Sequence, residues 1–416
     1  MRHRRLLDTL PLIALIALVP LVASACATDN GPTAYGETFG PLPERHDGGA
    51  SGEDGGVPRT DAGVGTPDAA ADGGVACSEG SLALLAGADA TLAGAVQERG
   101  GAWKVSPLAG AARSLRALVA TKEGFVGASR STSDALVGLA LGAAWAIPVG
   151  IGTATTIGAP SLAASGGASS SLVHLALHTP AFEHAYGASA QGTWSAASEP
   201  LRPPPGPTSF GPSAPSIAAV SGEVVAAFDG DDGGLYVQTR SALGAWGAAG
   251  PVVGAGVHKP VPPALVALEG THDLLVVFAD ASPDHVLRHA VRASSGKAWS
   301  AVANTGALAF TSEPFRAARI SPSEVAIGYR GGDGRAYVTI GTLAAGSFTW
   351  AAPVPLFAGA PVEAAPAIAP GVCGDAAVAA VGISGAVKVT RLRAGAWTAP
   401  EEVPGLSGTR VAVATR

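Results

Sequence analysis

Seven tryptophans set the strongest limit on what this chain can become. Trp103, Trp145, Trp194, Trp246, Trp299, Trp350 and Trp397 are 42, 49, 52, 53, 51 and 47 residues apart. Each sits in a variant of one phrase: GAWK, GAAWA, GTWS, GAWG, GKAWS, GSFTWA and GAWT. A self-similar period near fifty residues means a propeller, a solenoid or an array of small domains. A repeat also needs one large apolar anchor per unit to bury its face against the next. We therefore read the seven Trp as structural anchors first, and as faces on which a sugar ring could stack second.

The grammar around each Trp selects among these architectures. In the fourth unit, SIAAV is followed by a Ser-Gly turn, then EVVAAF, a Gly/Asp turn, the alternating LYVQTR and the Trp segment. That is four short strands joined by hairpin turns. Units five, six and seven repeat the order, and units two and three follow it more loosely. The chain's 57 Gly and 32 Pro punctuate every apolar run, which argues against long helices. Four antiparallel strands in each of seven units is the signature of a seven-bladed β-propeller. Unit one lacks its first strand, and the chain ends in a spare one, RVAVAT at 410–415. Pairing the spare strand with unit one closes the ring and removes the exposed edges an open array would leave.

The first residues carry an address. Arg2, His3, Arg4 and Arg5 precede LPLIALIALVPLV, an apolar run too short and too broken by Pro11 and Pro20 for a transmembrane helix. It ends in Ala23-Ser24-Ala25-Cys26, which resembles the lipobox of bacterial lipoproteins, with Ala23 where that family prefers Leu. The resemblance implies cleavage after residue 25 and lipidation of Cys26; ordinary secretory cleavage is the alternative. With Ala27 rather than Asp after the Cys, it also implies outer-membrane residence. Residues 26–76, rich in Gly, Asp and Pro, bury too little to fold and read as a tether between the membrane anchor and a domain at 77–416. Cys26 accounts for the odd count of three cysteines. The remaining Cys77 and Cys373 fall in equivalent turns of units one and seven, neighbours in a closed ring, and are expected to form a disulfide in an oxidising compartment.

No nucleophile elbow, phosphate-binding loop or Cys-x-x-Cys is present. A net charge of −6 without a basic stripe argues against nucleic acid. His174 and His178 would lie about 13 Å apart along one strand, too far to share a zinc ion, and read instead as the polar edge of a blade strand. Candidate ligand residues crowd the turns between second and third strands: Asp229, Asp231 and Asp232, then Asp280 and Asp284 with His285, then Arg330, Asp333 and Arg335. Asp89, Arg130, Asp134, Glu183 and His184 occupy the matching turns of the first three units. Calcium or a polar glycan would suit such groups, but Asp and Gly are also what tight turns require, and that plainer reading is favoured. The turn-plus-Trp element resembles that of sialidases and sugar-binding propellers. The Ser-x-Asp-x-Gly-x-Thr-Trp box of sialidases is absent; GTW at 192–194 echoes only its end. The expectation is a monomeric envelope-anchored binding or scaffold protein for glycan or protein partners, with a sialidase-type glycosidase as the alternative.

Overall fold

The computed structural model describes residues 80–416 except 89–90, 109–111, 132–134, 142–144, 146–148, 156–157, 167–170, 180–181, 189–192, 195–198, 203–208, 242–244, 259–260, 283–284, 309–313 and 372–373. Cys26, Cys77, Cys373, Asp89, Asp134 and Asp284 fall outside the described residues, as do the side chains of Glu183 and His184.

The fold is all-β, with seven antiparallel sheets among the described residues. The first holds β1 (Leu82–Gly87), β2 (Leu92–Gln97) and β3 (Lys104–Leu108). The second holds β4 (Ala112–Ala120), β5 (Phe125–Ser131), β6 (Ala135–Leu141) and β7 (Val149–Thr155). The third holds β8 (Ser161–Gly166), β9 (Ser171–Leu177), β10 (Glu183–Ala188), β11 (Thr193–Trp194) and β12 (Glu199–Pro200). The fourth holds β13 (Ser216–Val220), β14 (Glu223–Asp229), β15 (Gly234–Ser241) and β16 (Gly250–Gly256). The fifth holds β17 (Ala264–Ala267), β18 (His272–Ala279), β19 (Val286–Ala293) and β20 (Ala303–Leu308). The sixth holds β21 (Arg316–Ser321), β22 (Glu324–Arg330), β23 (Ala336–Ala344), β24 (Ser347–Trp350) and β25 (Val354–Pro355). The seventh holds β26 (Ala367–Pro370), β27 (Ala376–Val381), β28 (Ala386–Arg393), β29 (Ala396–Trp397) and β30 (Glu401–Ser407).

The last strand, β31 (Arg410–Thr415), leaves its own unit and pairs antiparallel with β1, from Leu82 opposite Thr415 to Gly87 opposite Arg410. It supplies the first sheet's missing strand. In the sixth and seventh sheets the outer edge is broken in two, β24/β25 and β29/β30, each across a proline (Pro353, Pro400) that has no N–H for the ladder.

Burial follows strand position. Second strands such as β1, β14, β18 and β27 are buried along nearly their whole length, so both faces are covered and the sequence reads as a continuous apolar run. Outer strands such as β16 bury only every third residue. The apolar side chains gather into clusters that each span two consecutive sheets. One joins the seventh sheet (Val387, Val389) to the first (Leu82, Leu84), and others join every other neighbouring pair.

One tryptophan enters the cluster between its own sheet and the preceding one in each case. Trp103 packs between the seventh and first sheets, Trp145 between the first and second, and Trp246 between the third and fourth. The fit is close at two glycines of third strands. A Cβ on Gly94 would lie 2.3 Å from the Trp145 ring, and one on Gly138 would lie 2.3 Å from Trp194. Only glycine lets the rings approach that far. Trp246 is the most enclosed at 4 % exposure. Burying an aromatic of its size removes on the order of 150–250 Å² from water, roughly 4–6 kcal/mol before ordering costs.

Candidate functional site

The Asp-bearing turns bind themselves. Asp232 accepts the Gly234 N–H through Oδ1 (2.8 Å) and the Tyr236 hydroxyl through Oδ2 (2.7 Å). Asp333 repeats the device at the equivalent position two sheets on, with the Arg335 N–H (3.0 Å) and the Tyr337 hydroxyl (2.7 Å). Asp-x-Gly/Arg-x-Tyr is thus a turn clasp, the carboxylate bonding its own backbone two residues on. The donated hydrogen bonds raise the pKa of both tyrosines. Arg335 adds only an exposed 3.6 Å ion pair with Asp333. Asp229 is fully buried and accepts the Ser213 N–H at 3.2 Å, while Asp231 accepts the exposed Ser209 hydroxyl at 2.9 Å. Asp280 takes the Ser282 N–H and the Arg288 Nε. Burial pushes its carboxyl up, and these partners outweigh that and hold it below the usual range. Arg330 ends β22, and His285 stacks on His258 with ring centroids 3.6 Å apart. These groups hold turns rather than converge on one point. Among the described residues no three His, Cys, Asp or Glu come together as a metal site requires.

The histidines of the third sheet differ from the polar edge expected of them. His174 on β9 is buried, with its Nε2 2.9 Å from the Ser165 hydroxyl. Burial, and then the charge of Arg240, lower its pKa to about 4. The run LVHLAL forms a second strand, covered on both faces, so a histidine there goes inside.

A polar cluster that the sequence reading passed over lies between the seventh and first sheets. Arg391 on β28 donates from Nη1 to Glu401 Oε2 (3.0 Å) and from Nη2 to the side-chain amide oxygen of Gln97, Oε1. Gln97 Nε2 donates to Glu401 Oε1 (3.4 Å), and the Trp103 indole N–H donates to the same oxygen. The Arg391 guanidinium stands 6.0 Å from the centre of the Trp103 ring. Residues from the two ends of the chain meet here because β31 joins the sheets. Beside them opens a pocket of about 50 Å³, whose lining includes Gln97, Arg391, Gly80, Gly371 and Asp375. Of the cluster, Arg391 and Gln97 line this pocket, together with Asp375; a guanidinium, an amide and a carboxylate there are the donors and acceptors that a polyhydroxylated ligand requires.

Other arginines tie neighbouring sheets. Arg240 reaches Glu199 (2.8 Å), Arg292 reaches Glu223 (3.3 Å) while pairing with buried Asp273 (2.8 Å), and Arg319 reaches Glu269 (2.7 Å). Burial raises the Asp273 carboxyl, but Arg292 and Lys297 more than reverse it, leaving the group below its ordinary value.

No known family model matches the chain, and no curated protein does. Solved structures do. The BP39L lectin of Burkholderia pseudomallei aligns at 18% identity over 78% of this chain and 95% of its own, with a TM-score of 0.57. AofleA of Arthrobotrys oligospora aligns at 12% identity over 73% and 88%, with a TM-score of 0.52. The fold is a β-propeller. A fungal lectin of Aleuria aurantia, described as a six-bladed β-propeller with a novel fucose recognition mode, lies further off at a TM-score of 0.47, 14% identity, and 70% and 95% coverage.

Proposed function

We propose that this chain is a glycan-binding propeller of seven blades, closed by β31, exported and held at the cell envelope by a lipid on Cys26. The observation that carries the binding reading is the Arg391, Glu401, Gln97 and Trp103 cluster beside its pocket. Arg391 and Gln97 would donate to sugar hydroxyls and Asp375 accept from them, with Glu401 and Trp103 holding the guanidinium and amide in place. The similarity in fold to a lectin points the same way. Closure is supported by the pairing of β31 with β1 and by the apolar cluster between the seventh and first sheets. A glycosidase is the weaker reading. It needs two carboxylates facing the scissile bond, and the described wall of the central cavity carries no Asp or Glu.

The anchor rests on the basic start, the apolar run and the Ala-Ser-Ala-Cys ending at Cys26. Outer-membrane residence follows from Ala27 in the same reading. The Cys77–Cys373 disulfide is supported by Gly80 and Gly371, close in sequence to the two cysteines, which line one pocket. We read the protein as a monomer.

A glycan array probed with residues 27–416 tests the function. Binding to a related set of glycans, lost on Arg391→Ala while the thermal melt stays cooperative, is the expected result. Silence across the array, or Arg391→Ala binding like wild type, refutes it. Detergent-phase partitioning of the full chain, abolished by Cys26→Ser, tests the anchor.

A further inference from the structure

The first strands of all seven sheets wall a cavity of about 200 Å³. Four of them open on the same phrase: Pro160-Ser161-Leu162, Pro215-Ser216-Ile217, Pro263-Ala264-Leu265 and Pro366-Ala367-Ile368. In the sixth sheet the phrase is Pro314-Phe315-Arg316. Register shifts the phrase by one place in the sixth sheet: Ile217, Leu265 and Ile368 face Ala226, Val276 and Val378, whose counterpart Ile327 faces Ala317, while Arg316 faces Gly328 as Ser216, Ala264 and Ala367 face Ala227, Val277 and Ala379. Arg316 therefore stands where the fourth, fifth and seventh sheets carry Ser or Ala, and it is the one ionisable side chain on the described wall.

Its hydrogen bond is a single one, from Nη1 to its neighbour's carbonyl, Phe315 O, at 3.2 Å. No ion pair to it exists among the described residues. Burial, and then the charge of Arg410 on β31, lower its pKa to about 10, so it is still a cation at neutral pH. Holding a guanidinium in a half-buried wall that carries no opposite charge costs free energy that an apolar side chain would not. The edge formed by Nε–H and the second amino group stays open, and that fork matches the two oxygens of a carboxylate. Two hydroxyls face the same cavity. Ser161 Oγ accepts the Ile217 N–H (3.1 Å) and Ser216 Oγ accepts the Leu265 N–H (3.0 Å), so each keeps its own proton to donate.

We infer that the central cavity is a binding site for a small organic carboxylate, with its head in the fork of Arg316 and its hydrocarbon body against Leu162, Ile217, Leu265 and Ile368. The site lies apart from the cluster at Arg391 and does not depend on glycan binding.

Calorimetric titration of the full chain in detergent with sodium butyrate tests this, with sodium phosphate and sodium chloride as separate arms. Saturable butyrate binding, weakened at least tenfold by Arg316→Leu and untouched by Arg391→Ala, is the expected result. Arg316→Ala, which places there the residue of the fifth and seventh sheets, should lose butyrate binding in the same way, and a cooperative thermal melt of each variant checks that it folds. No butyrate binding, a loss under tenfold in Arg316→Leu, or phosphate or chloride binding as tightly as butyrate overturns the assignment.

Discussion

Acid should loosen this protein well before its carboxylates titrate, through two histidines. His174 on β9 and His289 on β19 are 1 % and 4 % exposed. Burial lowers both to about 4; the charge of Arg240 adds to this for His174, and a backbone bond to Ala303 partly opposes it for His289. The unfolded chain titrates near 6.5. A depressed folded pKa means the contribution is complete above 6.5, drains as the pH falls below it, and is gone once the folded ring itself protonates near 4. Over that whole range each histidine accounts for about 3 kcal/mol, and about 2 kcal/mol of it is lost by pH 5. The two lie on the third and fifth sheets, so their effects should add to about 4 kcal/mol. Urea unfolding at pH 7.5 and pH 5.0, followed by tryptophan fluorescence, measures the loss. His174→Gln and His289→Gln should each remove about half of the pH dependence. A wild-type loss under about 1 kcal/mol, or Gln variants that keep the full dependence, would show that these rings are not held neutral by burial.

Gly94→Ala places a methyl against the Trp145 ring, where 2.3 Å of clearance is far too little. The overpacking should cost about 1–3 kcal/mol, read as a lower urea midpoint, whereas Gly222→Ser in an open turn should not show the same packing defect in near-ultraviolet dichroism. If Cys77 and Cys373 are bonded, the oxidised protein will resist iodoacetamide after unfolding, and Cys373→Ser should lower stability by roughly 4–5 kcal/mol in the loop-entropy model. Free thiols in the unfolded, unreduced protein would remove that staple.

The strand pattern was legible because each strand position has its own environment. SIAAV, EVVAAF and LYVQTR fall within β13, β14 and β15, and RVAVAT is β31. Turn residues mark the breaks, and a doubly covered second strand must be apolar throughout. The polar cluster was not legible. Gln97 and Arg391 are far apart in the chain, each looks like an ordinary third-strand residue, and only the pairing of β31 with β1 brings them together. Carrying the ring argument through to the residues flanking Trp103 and Trp397 would have exposed it. Arg316 had a visible signal, a charge opening a first strand where other units carry Ser or Ala. The Asp-rich turns drew attention by composition, but composition does not separate a ligand carboxylate from one that clasps its own tyrosine, as Asp232 and Asp333 do.

The pairing of β1 with β31 also orders events in time. In synthesis Leu82 emerges long before its partner Thr415. Until then β1 offers one bare hydrogen-bonding edge, a template for any other extended chain nearby. The edge of β1 must stay unpaired through the making of six further sheets, so the yield should depend on how quickly β31 is delivered and on what shields that edge meanwhile.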